Sequence, residues 1–158
     1  MRIELLAATV TLMPITAKAQ STITPHAGIE IIETGKNYET LLADLKAAVA
    51  ANKMGVVTEA GPTEAAKQRG ETIPGNRVVG VFRNDFAVTI IRAAPAAMIE
   101  PPVRFMVMEE PDGTATLAYK VPSSVFAPYM DEGGDALQGA AAELDTIFAA
   151  IAAEAAAQ

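Results

Sequence analysis

The chain has 158 residues, a formal charge of −7 and an apolar share of 51%, much of it alanine. That length corresponds to one domain able to bury a core of its own, and the acidic balance argues against nucleic acid and anionic lipid as partners. The sequence contains no cysteine, which excludes disulfides, zinc–thiolate sites, iron–sulfur clusters and a lipidated cysteine, and its single histidine, His26, excludes a histidine dyad or a multi-histidine metal site.

Residues 1–19 have the pattern of a secretory signal peptide. Arg2 supplies a positive start, Leu5 to Ile15 form an apolar run too short for a permanent membrane span, and Ala17-Lys18-Ala19 places small residues where a signal peptidase reads them. Glu4 and Pro14 depart from the ideal pattern. Cleavage before Gln20 leaves ten basic and eighteen acidic residues, a charge of −8. The expectation is a periplasmic or secreted protein without membrane insertion. Residues 20–36 form a lead-in and first strand, 37–158 the remainder, and 28–152 the domain as a whole.

In chain order, 20–27 is a polar, flexible lead-in containing His26. Gly28–Thr34 alternates as a strand, with Ile29 and Ile31 on one face and Glu30 on the other. Asn37 can cap a helix over Tyr38–Ala51, whose apolar stripe is Tyr38, Leu41, Leu42, Leu45, Ala48 and Val49. Met54–Thr58 is a short second strand, and Gly61-Pro62 opens a short helix that Gly70 ends. Val78–Phe82 is a β-branched strand. Phe86–Ala94 mixes helical spacing with strand propensity; Asn84 as a cap and Pro95 as a stop favour helix.

Val103–Glu110 and Thr114–Val121 flank Pro111-Asp112-Gly113, a strong hairpin signal. Placing Glu110 opposite Thr114 sets Val107 against Leu117, Phe105 against Tyr119 and Val103 against Val121 on the core face. The other face then carries Arg104 opposite Lys120, Met106 opposite Ala118 and Met108 opposite Thr116. Pro122–Met130 reads as a loop with one helical turn, and Asp131–Gly134 as a flexible acidic link. Asp135 then caps a last helix, with Gln138 completing a capping box and Leu137, Ala141, Leu144, Phe148 and Ile151 forming its stripe.

Three stretches carry a resemblance: YETLLADLKAAVAANKMGVVTE from Tyr38, VVGVFRND ahead of a short segment ending in Ala94-Pro95, and PPVRFMVMEEPDGTATLAYKVP. Together they resemble the bacterial "domain of unknown function 302" family over about 90 residues, from Tyr38 to about Tyr129. The resemblance implies a two-layer α+β domain, helices on one face of an antiparallel sheet, and a dimer; it implies no settled activity. Many relatives carry Asn-Pro where this chain has Asn84-Asp85, and a histidine where it has Ala60-Gly61, so a histidine-dependent role does not carry over.

The candidate binding residues are Arg104, Lys120, Met106, Met108 and Arg83, with Arg77 and Arg92 as further cations that could join them. Two cations facing each other across a ladder cost roughly 0.2–1 kcal/mol unless an anion lies between them. Glu100 or Glu109 could supply it, or both stems could simply reach water. A small anionic ligand or a partner's carboxylate could equally do so. Met106 and Met108, alternating onto one side, could hold Cu(I), or form a homodimer face or second apolar layer. Ser123 and Ser124 lack a nucleophile-elbow pattern, and Glu109, Glu110 and Asp112 read as a solubilising hairpin tip. No catalytic residue, metal site or cofactor is assigned. The leading expectation is an exported, non-enzymatic binding or accessory domain, homodimeric, meeting a small anion or an envelope protein. The alternatives are Cu(I) handling, or a small carboxylate-dependent enzyme using Tyr119 or Tyr129 in a pocket between sheet and helices.

Overall fold

The computed structural model describes residues 21–157; the expected signal peptide, residues 1–19, lies outside the described residues. Five strands form one sheet: β1 (Ile29–Glu33), β2 (Gly55–Ala60), β3 (Asn76–Phe82), β4 (Val103–Glu109) and β5 (Ala115–Lys120). Their order is β1-β5-β4-β3-β2, and every neighbouring pair is antiparallel. Five helices accompany them: α1 (Tyr38–Ala51), α2 (Thr63–Gln68), α3 (Asn84–Ala93), α4 (Pro122–Phe126) and α5 (Met130–Ala156).

The two-layer α+β architecture follows from where the apolar side chains point. Val79, Val81, Phe105, Val107, Leu117 and Tyr119 alternate onto one face of the sheet. They share a single buried cluster with Leu41 and Leu45 of α1, Ile90 of α3, and Leu144 and Phe148 of α5. Phe148 stacks on Phe105 with ring centroids 4.7 Å apart and planes 12° from parallel. Helix α1 begins as its sequence requires, the Asn37 side chain accepting from the Thr40 backbone N–H at 2.9 Å.

The hairpin takes the expected register. Phe105 pairs with Tyr119 and Val107 with Leu117, the Glu110 N–H donates to Thr114 O at 2.8 Å, and Gly113 turns the chain with a φ of 84°. Oδ1 of Asp112 accepts from both the backbone N–H and the hydroxyl of Thr114, which locks the tip and holds its carboxyl below the usual carboxylate range.

The structure departs from four local expectations. Asn84 does not cap α3: it is the first helical residue, and Arg83 takes the cap position without a side-chain capping bond. Pro122–Met130 is more ordered than a loop, forming α4 and one 3-10 turn over Ala127–Tyr129. Asp131–Gly134 is not a flexible link. The helical run starts at Met130 and breaks only at Gly134, whose φ and ψ are 50° and −148°. Gly133 is buried, and a Cβ there would collide with the Leu137 side chain, so a glycine is what lets this turn seat on the core. Asp135 and Gln138 make no capping bond among the described residues. The stretch Pro122–Ala156 is apolar and long enough to cross a bilayer by length and composition, but Leu137, Leu144, Phe148 and Ile151 are buried against the sheet, as in a core helix.

Candidate functional site

The face of the sheet turned away from the core is built in three rows across the strands, fixed by the pairing. The first row holds Ile29 of β1, Lys120 of β5, Arg104 of β4 and Gly80 of β3. The second holds Ile31, Ala118, Met106, Val78 and Ala60. The third holds Glu33, Thr116, Met108 and Asn76. The face is therefore cationic at one end, apolar in the middle and polar to acidic at the other.

Arg104 and Lys120 are both exposed and lie opposite each other by the ladder register. Among the described residues neither forms an ion pair or a side-chain hydrogen bond. The two carboxylates that could have served them are engaged elsewhere: Glu100 accepts from the Tyr129 hydroxyl at 2.8 Å, and Glu109 accepts from the Gly75 N–H at 2.6 Å. A concavity of about 260 Å³ opens between the two cations and the apolar row, lined by Ile29, Val78, Arg104, Met106, Ala118 and Lys120.

The two methionines share this face but not one environment. Met106 lines the concavity. The sulfur of Met108 accepts from the Asn76 side-chain amide at 3.3 Å, a contact that copper ligation would have to break. Arg83 is not part of the face. Its Nε bonds Asp85 at 2.7 Å, its Nη2 lies 3.5 Å from Glu143 of α5, and its guanidinium sits 4.2 Å above the Phe86 ring. The bond to Asp85 raises the Arg83 pKa and lowers that of Asp85. Arg77 pairs with Val107 and points to the opposite side from Arg104, and Arg92 lies on α3. Of the five expected site residues, the structure joins Arg104, Lys120 and Met106, with Met108 one row away.

Among the described residues, the cavity found between sheet and helices is small. The cavity beside Met54, Phe86, Phe126 and Phe148 holds about 20 Å³, room for about one water. A side chain poised for acid–base work near neutrality has its pKa moved toward neutrality. Here Tyr129 is raised by its hydrogen bond to Glu100, and Tyr119 by burial, with Glu30 and Asp145 adding to it. Asp85, Glu110 and Asp112 are all lowered. Every one of these shifts leads away from neutral pH.

Residues 31–153 match the family described as "Domain of unknown function DUF302". The chain belongs to the DUF302 family. A crystal structure of an uncharacterized conserved DUF302 protein from Bacillus stearothermophilus has the same fold, with a TM-score of 0.72 at 16% identity over 82% of this chain and 99% of that one. Comparison with curated proteins gives no match.

Within this DUF302 domain the residue that the sequence misassigns is Glu110. Instead of keeping the hairpin tip soluble, it is 4% exposed. Its carboxylate accepts from the Thr116 hydroxyl at 2.6 Å, the Ser21 hydroxyl at 3.1 Å and the Thr22 N–H at 3.0 Å. The Ser21 N–H donates to Glu33 at 3.0 Å. Part of the expected flexible lead-in is thereby fastened across the acidic end of the open face. Strand parity held the clue: Glu110 has the same parity as Arg104, Met106 and Met108, so its side chain belongs on their face.

Proposed function

We propose that this protein is an exported, non-enzymatic binding domain that takes a small anionic ligand on the open face of its sheet, between Arg104 and Lys120. One observation carries the reading: two exposed cations, which the ladder register continued one residue past Phe105–Tyr119 sets opposite each other, line one concavity without an acidic partner among the described residues. Such a pair is unfavourable in isolation and becomes favourable when an anion bridges it. On an acidic molecule, this spot is where a small anion meets a locally positive field. Export is supported by the Ala17-Lys18-Ala19 pattern after an apolar run, and by the family match starting at residue 31, beyond that segment.

Mass spectrometry under non-denaturing conditions, on protein purified from its host, tests both halves. The expected result is a terminus at Gln20 and an anionic adduct that the double substitution Arg104→Glu, Lys120→Glu removes. A terminus at Met1 overturns export. An adduct that survives the double substitution, or a dimer that buries this face and carries no adduct, overturns the binding reading.

A further inference from the structure

The three rows of the open face also define what kind of anion fits. This inference rests on the reading above and specifies its ligand. We infer that the ligand is a monoanion with a short apolar tail, of the chemistry of a medium-chain carboxylate, and that the fold limits the tail's length.

Behind the Arg104–Lys120 pair, the next row is uninterruptedly apolar, comprising Ile31, Ala118, Met106, Val78 and Ala60. Two residues of strand advance about 7 Å, so a head group on the cations lays its tail directly over that row. The third row, about 14 Å from the first, cannot continue the strip. Thr116 of that row is 1% exposed and donates to Glu110, one row further on and 4% exposed, and Ser21 and Thr22 are bonded to Glu110. The same end carries the carboxylate of Glu110, held by neutral donors, so a second negative charge on the ligand's far end would meet repulsion. Cations at one end, an apolar floor and an acidic, polar stop at the other select one charge, one tail and a bounded length.

Calorimetric titration of the purified protein at low ionic strength, with acetate, hexanoate, dodecanoate, adipate and hexanol as probes, tests this. Each buried methylene tightens binding by up to about fourfold, and roughly twofold on a half-open face. Hexanoate should therefore bind on the order of tenfold tighter than acetate. Dodecanoate should gain nothing proportionate to its length, and adipate should bind far more weakly than hexanoate. The Met106→Gln variant, at a half-buried position where folding can be checked by its melting temperature, should lose most of the advantage of hexanoate over acetate. Acetate equal to hexanoate overturns the tail and leaves the anion site standing. Hexanol equal to hexanoate overturns the anion site itself. No binding by any probe overturns both.

Discussion

The carboxylate of Glu110 holds three donors from two separate parts of the chain, and its protonation state follows from that. Burial alone would push its pKa up, but the hydrogen bonds from Thr116, Thr22 and Ser21 outweigh burial and hold it below the ordinary 4.5. A carboxyl with a folded pKa below its unfolded value stabilises the fold above the unfolded value, and that contribution disappears as pH falls through the folded one. Replacing Glu110 by Gln removes the charge and leaves buried donors with a weaker acceptor, a loss of about 1–3 kcal/mol at neutral pH. Denaturant unfolding at a series of pH values should show the gap between wild type and Glu110→Gln closing as pH drops below about 4. A gap that stays constant into acid would mean that the charge contributes nothing. Gly80 illustrates a different constraint at the same scale. A Cβ at this position would run into the Thr58 hydroxyl and the Pro102 ring. Gly80→Ala should therefore cost about 1–3 kcal/mol through overpacking between β2, β3 and the start of β4, readable as a lowered denaturation midpoint with an unchanged slope.

At the scale of elements, the sheet and α5 depend on one aromatic contact. Phe148 is 1% exposed and is stacked on Phe105, with Tyr119 tilted beside both. Phe148→Ala should cost about 3–5 kcal/mol, by lost burial and the cavity left behind; unfolding of that variant measures it, and a loss under 1 kcal/mol would place the core elsewhere. This contact was within reach of the sequence, since Phe148 lies on the four-and-three stripe of α5 and Phe105 and Tyr119 share strand parity with Val107 and Leu117. The hairpin register was legible for the same reason: a one-residue slip would turn every apolar side chain to water. What was not legible depended on contacts between distant segments. Asp135 has the chemistry of a cap, but α5 already runs from Met130 and breaks at Gly134, next to Gly133, where a Cβ would meet Leu137. Asn84 likewise has a cap's chemistry, while the cap position falls to Arg83, which ties Asp85 and Glu143 instead. Three of the candidate cations, Arg77, Arg83 and Arg92, were separated from Arg104 by parity or by element, a distinction that composition does not contain.

At the scale of the whole molecule, the two faces of the sheet are under different demands. The helix side is packed for stability, whereas the open side keeps Arg104 and Lys120 opposed at a position where any neutral pair would suit the fold better. Like charges facing each other across an antiparallel ladder cost roughly 0.2–1 kcal/mol, and because both side chains are exposed the repulsion is screened by salt. Lys120→Thr should therefore stabilise the ligand-free protein by that modest amount at low ionic strength. Arg104→Thr should do the same, and the double variant should gain less than the sum of the two, since the second substitution removes a charge whose opponent is already gone. The coupling should fade toward zero at about 1 M salt, where the screening length shrinks to about 3 Å. Unfolding free energies for the four proteins at low and high salt complete the cycle. Strict additivity at low salt would show that the two stems diverge into water, leaving an anion nothing to bridge; a coupling that vanishes with salt shows two cations held together by the sheet, the arrangement that a bound anion relieves.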